Sequence, residues 1–127
     1  MVSIKTKYAL AVVVELGLRP KHDLCTIKHL ATTCDVPKKY LEQILNVLRK
    51  EGIVDSIRGS QGGYFLAKAP DQITLYDIAQ ALEQSLLFSN GYVGSKTLQN
   101  CWKNIDLMLK SSFNVTIQQL VKDHLKQ

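Results

Sequence analysis

Residues 36–66, VPKKYLEQILNVLRKEGIVDSIRGSQGGYFL, constrain the fold more than any other stretch. Pro37 suits the first position of a helix, where its fixed φ is already helical and its missing N–H has no partner to lose. Leu41, Ile44, Leu45 and Leu48 then recur at three- and four-residue spacing. That period predicts one buried stripe, with Lys38, Lys39, Glu42, Gln43, Asn46, Arg49 and Lys50 facing out. Gly52 stands where a left-handed residue closes a helix, and Arg49 and Lys50 favour the negative end of the dipole. Residues 53–58 and 63–66 are β-prone runs separated by Gly59-Ser60-Gln61-Gly62, which predicts a small hairpin with Arg58 at its tip. A polar helix leading into a glycine-tipped hairpin meets the needs of a winged helix-turn-helix, with a helix for the major groove and a wing for phosphates or the minor groove. The same pattern also fits an ordinary surface helix and hairpin, and helix-turn-helix geometry also serves protein contacts.

Upstream, residues 3–18 predict a helix that is apolar nearly all round through Ala9, Leu10, Val12, Val13, Val14 and Leu16, so it must be covered on several sides. Ser3 is its N-cap, and Gly17 followed by Arg19-Pro20 ends it. Leu24-Cys25 is a candidate short strand for pairing with the hairpin. Thr26 caps a second helix of about two turns with Ile27, Leu30, Ala31 and Cys34 on one face. The short connection through Asp35 and Val36 into Pro37 has the length of a helix-turn-helix turn.

After a polar linker at 67–72, Thr74 and Asp77 form a short-acid capping box for a fourth helix with Leu75, Ile78, Ala79 and Leu82 on one face. Residues 85–95 have no period and read as a loop, whose Leu86, Leu87, Phe88 and Tyr92 are unusual for a monomer's surface. Residues 96–113 predict a long helix with Leu98, Cys101, Trp102, Ile105, Met108, Leu109 and Phe113 in a stripe, and Thr116 caps a last one. The organisation expected is a winged domain at 1–84, a loop at 85–95, and a dimerisation helix plus C-terminal helix at 96–127. An apolar helix beyond a self-sufficient core needs a second surface, either a second copy or its own chain. A homodimer also lets two recognition helices read a palindrome one DNA turn apart.

The chain has a formal net charge of +5, all of it within residues 1–68, while residues 69–127 sum to zero. A basic half carrying the polar helix fits a phosphate-rich partner, although a solvated basic surface gives the same total. The apolar run at 8–18 is interrupted by Glu15, lacks a small-residue cleavage site and is too short to span a bilayer, so no membrane role is expected. Three cysteines in unrelated contexts, Cys25, Cys34 and Cys101, suit reduced thiols and a cytoplasmic location. His22, His29 and His124 show no ligand spacing, so no metal is assigned. Neither a nucleophile with a base nor a glycine loop opening a helix suggests an enzyme.

Tyr40-Leu41-Glu42-Gln43-Ile44-Leu45, Leu48-Arg49-Lys50-Glu51-Gly52-Ile53-Val54, Ser56-Ile57-Arg58-Gly59 and Gly62-Gly63-Tyr64-Phe65-Leu66 together resemble the Rrf2 family of bacterial transcription regulators. Lys5-Thr6-Lys7-Tyr8-Ala9-Leu10, residues 27–31, Ile73-Thr74, Asp77-Ile78 and Leu82-Glu83 extend the similarity over most of the chain. The resemblance implies a mainly α fold with a small β-hairpin wing, double-stranded DNA as partner, and a homodimer whose long penultimate helices cross. It places Lys38, Lys39, Tyr40, Glu42 and Gln43 at the groove, Arg58 with Gly59, Gly62 and Gly63 at the minor groove, and Ser3, Lys5 and Thr6 at phosphates. Lys28 and Arg49 join the same DNA-binding set, while Tyr8 is expected to pack. Glu42 suits either a cytosine amino group or stabilisation of its own helix N-terminus.

Several relatives hold an iron-sulfur cluster on three cysteines between helices four and five. Here only Cys101 falls in that neighbourhood, so no cofactor is expected. The pattern is most similar to the cluster-free, CymR-like branch, in which a regulatory protein partner replaces the cofactor. A repressor is the first functional expectation. A protein-interaction adaptor that has lost DNA specificity is the second. A small-molecule sensor built on Leu86, Phe88 and Tyr92, or a thiol sensor, is the third.

Overall fold

The computed structural model describes residues 2–20, 23–83, 86 and 94–127. Helix α1 (Ile4–Leu18) is followed by α2 (Ile27–Cys34) and α3 (Lys38–Lys50), then the antiparallel strands β1 (Val54–Ile57) and β2 (Gly63–Leu66). A single 3₁₀ turn at Pro70–Gln72, which the polar linker did not announce, leads into α4 (Leu75–Leu82), α5 (Lys96–Ser112) and α6 (Ile117–Leu125). The hairpin pairs Val54 with Leu66 through Ile57 with Gly63, and Cys25 adds a bridge to Tyr64, as its β-prone setting suggested.

Helix α1 is the axis of the core. Ala9, Val12, Val13 and Leu16 are buried, and α2, α3, α4, α6 and β2 all pack against it. The α3 stripe Leu41, Ile44, Leu45 and Leu48 is also buried. Each fully buried Leu or Ile side chain contributes about 1.5–3 kcal/mol relative to exposure, so this stripe fixes the roll of α3 and turns its polar face outward.

Helix ends follow local chemistry closely. Asp35, at φ 54°, takes the left-handed conformation that closes α2, and Val36 tucks its side chain into the core. Pro37 is the N-cap of α3 rather than its first helical residue, because its ψ of 133° is extended; its carbonyl accepts from Tyr40 and Leu41 N–H. At the other end Gly52 N–H donates to Arg49 O and Ile53 N–H to Leu48 O, the paired bonds of a Schellman closure, with Gly52 at φ 75°. Thr74 with Asp77 and Thr116 with Gln119 each form a complete capping box.

Two elements behave differently from their sequence pattern. Gly17 lies inside α1 and is no stop signal; a Cβ there would stand 3.1 Å from a Val121 methyl and 3.2 Å from an Ile117 methyl. Its missing side chain lets α6 lie close against α1, so α6 packs on the winged core rather than forming one unit with α5. Leu87, Phe88 and Tyr92 of the expected loop lie outside the described residues.

Replacing Gly17 with Leu is expected to cost roughly 1–3 kcal/mol through overpacking against α6. Urea unfolding followed by circular dichroism should show a lower midpoint with an unchanged slope.

Candidate nucleic-acid interface

The start of α3 and the start of α1 meet on one surface. The rings of Tyr8 and Tyr40 are 6.1 Å apart, and Tyr40 is flanked by two ammonium groups, Lys39 Nζ at 5.0 Å and Lys5 Nζ at 6.0 Å from its centroid. Lys5, Lys38 and Lys39 are exposed and Tyr40 is half-buried, so the ring braces two cations that keep their heads in water. Tyr8 packs beside them, as expected.

The second half of α3 faces the wing across a groove of about 520 Å³. Glu42, Asn46 and Arg49 line one side; Ser56, Ile57, Arg58, Gly59 and Gly62 line the other, with Thr26 at the end of α2's approach. Asn46 Oδ1 accepts a 3.3 Å bond from Arg49 Nη2, which leaves the Asn46 amide N–H groups for another partner. Asn46, Ser56 and Thr26 were absent from the sequence-derived set. The repetition of polar residues at 42, 46 and 49 was the signal that could have found Asn46. Gln43 and Lys28 are exposed outside this groove lining.

The wing glycines answer to different constraints. Gly59, at φ 119°, has open space around it, so it needs glycine for conformation alone. A Cβ on Gly62 would lie 2.0 Å from Ile57 O and one on Gly63 2.9 Å from Cys25 O. Gly62 therefore serves close packing within the hairpin and Gly63 close packing against the Cys25 bridge, a constraint apart from the approach to DNA expected of them.

Thr6 needs a firmer correction. It is 1% exposed, and its hydroxyl donates to Glu83 Oε1 at 2.8 Å, so it does not face a phosphate. Ser3 remains exposed, caps α1 by accepting from Thr6 N–H, and gives its own backbone N–H to Glu83 at 2.6 Å. The Ser3 N–H bond, more than the Thr6 hydroxyl, holds the Glu83 carboxyl below its ordinary value. This contact is therefore present above the ordinary carboxylate range and is lost as pH falls through the lowered value.

The family model Rrf2, described as an iron-dependent transcriptional regulator, matches residues 2–127. The chain belongs to the Rrf2 family. It is 40% identical over 82 residues to the HTH-type transcriptional regulator CymR of Bacillus subtilis, covering 65% of this chain and 59% of that one. The solved structure of CymR, the global cysteine regulator of B. subtilis, superposes with a TM-score of 0.82 at 32% identity over 96% of both chains. That of IscR from T. potens gives 0.81 at 30% identity, over 98% of this chain and 88% of that one. The mostly helical body with a two-stranded wing is thus the Rrf2 winged-helix fold, and this Rrf2 chain is a DNA-binding transcriptional regulator.

Two further parts of the Rrf2 fold bear on function. In α5, Trp102, Ile105 and Leu109 are half-buried while Leu98 and Met108 are 54% and 70% exposed, as is Cys101 in kind; Leu107, outside the predicted stripe, is 66% exposed. Among the described residues α5 packs broadly against no other element. The thiols sit in separate elements: Cys25 buried under the hairpin, Cys34 half-buried with its Sγ directed at Ala11 O, and Cys101 exposed. Burial pushes the Cys34 thiol up to about 11, with Glu15 adding to the effect.

At pH 8 a thiol at that value is ionised in only about one molecule in a thousand. Iodoacetamide is therefore expected to reach Cys25 and Cys34 only on unfolding, while Cys101 reacts in the separate chain and is slowed wherever a second copy covers α5, as peptide mass mapping would show.

Proposed function

We propose that this chain is a homodimeric, cofactor-free repressor that reads an operator with α3 and the wing and occupies promoter DNA. The observation that carries this reading is the convergence on α3: Lys5, Lys39 and Tyr40 gather at its start, and Arg58 and the wing close a groove along its second half. No residue of α5 or α6 lines that groove. Lys38 and Lys39 serve phosphates or guanine, Arg58 at the wing enters the minor groove, Gln43 and Asn46 suit adenine, and Glu42, inside the groove, suits a cytosine amino group. A second copy is supported by the exposed Leu98, Cys101, Leu107 and Met108 on a helix that its own chain leaves largely uncovered.

The iron in the family's description finds a poor donor set here. Cys25, Cys34 and Cys101 lie in three elements, and among the described residues no three His, Cys, Asp or Glu side chains gather as a metal site. Of the remaining residues only His22 adds a ligand type. A cluster needs several thiolates on one centre, so these residues support the cofactor-free reading, to which the proposal adds control by a regulatory protein. Among the described residues no helix is long and apolar enough to cross a membrane.

Duplex binding by the purified chain should weaken steeply with salt, and Arg58→Ala should lower affinity about tenfold and make the log–log salt slope shallower by about one. Fluorescence anisotropy at several salt concentrations reads both quantities. Lys38→Ala with Lys39→Ala leaving affinity intact would favour a protein-interaction adaptor. Sedimentation should show a dimer that Leu98→Asp with Met108→Asp converts to a monomer. A wild-type chain that stays monomeric at micromolar concentration overturns the dimer.

A further inference from the structure

Glu83 is the C-cap of α4, far from α1 in sequence, yet its Oε1 receives both the Ser3 backbone N–H at 2.6 Å and the Thr6 hydroxyl at 2.8 Å. The local cap is weak by comparison, since Thr6 N–H reaches Ser3 Oγ only at 3.5 Å, the limit of a hydrogen bond. Two charge-assisted bonds to one carboxylate oxygen therefore fix the first turn of α1 more firmly than its own N-cap does. Thr6 is buried, so without Glu83 its hydroxyl would lack this acceptor in a place shielded from water. Lys5 lies inside this clamped turn, and its ammonium stands over the Tyr40 ring at the start of α3.

We infer that Glu83 is a positioning residue for DNA binding, holding the first turn of α1 so that Lys5 is presented beside Tyr40 and Lys39 as a phosphate contact. The inference rests on the DNA-binding reading. Charge alone says that deleting an acid near a basic face should strengthen attraction to DNA. Positioning says that deleting this acid should weaken it, because Lys5 loses its fixed geometry.

The test uses the full chain and an end-labelled mixed-sequence duplex, since a phosphate contact is read equally on any sequence. Glu83→Ala should bind about tenfold more weakly with a salt slope shallower by about one. Glu83→Gln, whose amide oxygen can still accept both bonds, should recover most of the affinity. Asp71→Ala, which removes an exposed acid on the 3₁₀ turn, should bind as tightly as wild type or slightly more so. Hydrogen exchange at the amides of residues 3–6 should quicken in Glu83→Ala and stay slow in Glu83→Gln. Glu83→Ala binding as well as wild type, or weakened with an unchanged salt slope as a general loss of folded protein would give, overturns the inference alone. A wild-type chain that fails to bind the duplex overturns the DNA-binding reading with it.

Discussion

Helix α1 carries apolar side chains around most of its circumference, and water cannot be allowed on any of them without cost. Five elements take their place by covering part of that cylinder, α2, α3, α4, α6 and β2. At its amino-terminal turn Ile4, Lys5 and Lys7 remain exposed while Thr6 is buried. The recognition helix is thus aimed indirectly. Its leucine and isoleucine stripe seeks α1, and the start of the polar side that remains faces out beside the exposed Lys5 at the amino-terminal turn of α1.

The basic surface is organised by shape as much as by charge. Tyr40 places an aromatic ring within reach of two flexible ammonium groups, which its face attracts. The wing contributes differently, through a backbone so tightly folded that Gly62 and Gly63 leave no room for a side chain. Between these lies a groove with both signs present, Glu42 among Asn46, Arg49 and Arg58. A mixture of that kind suits discrimination among base edges, whereas uniform positive charge would hold any duplex equally.

Signals carried by neighbours in sequence were legible. The α3 stripe, the closure at Gly52, the caps at Ser3, Thr26, Thr74 and Thr116, and the hairpin all follow from residues within a few positions of one another. Features that depend on distant partners were not. Gly17 looks like a terminator until Ile117 and Val121 are seen against it. Thr6 looks like a surface hydroxyl until Glu83, 77 residues away, accepts from it. Periodicity likewise gave α5 and α6 equivalent stripes, yet only α6 has Gly17 opposite to receive it; a stripe records the need for cover without naming what provides it.

The backbone at 73–76 is stitched to that at 113–117. Leu75 N–H donates to Val115 O, Tyr76 N–H to Phe113 O and Ile117 N–H to Ile73 O, and Lys110 lies over the Tyr76 ring. The carboxy-terminal end of α5 and the start of α4 are therefore held side by side by main-chain bonds, which do not depend on the side chains at those positions. The same first turn of α4 that receives the end of α5 belongs to the helix packed on α1 and α3, so one short stretch of backbone joins the outer helix to the core that carries the recognition helix.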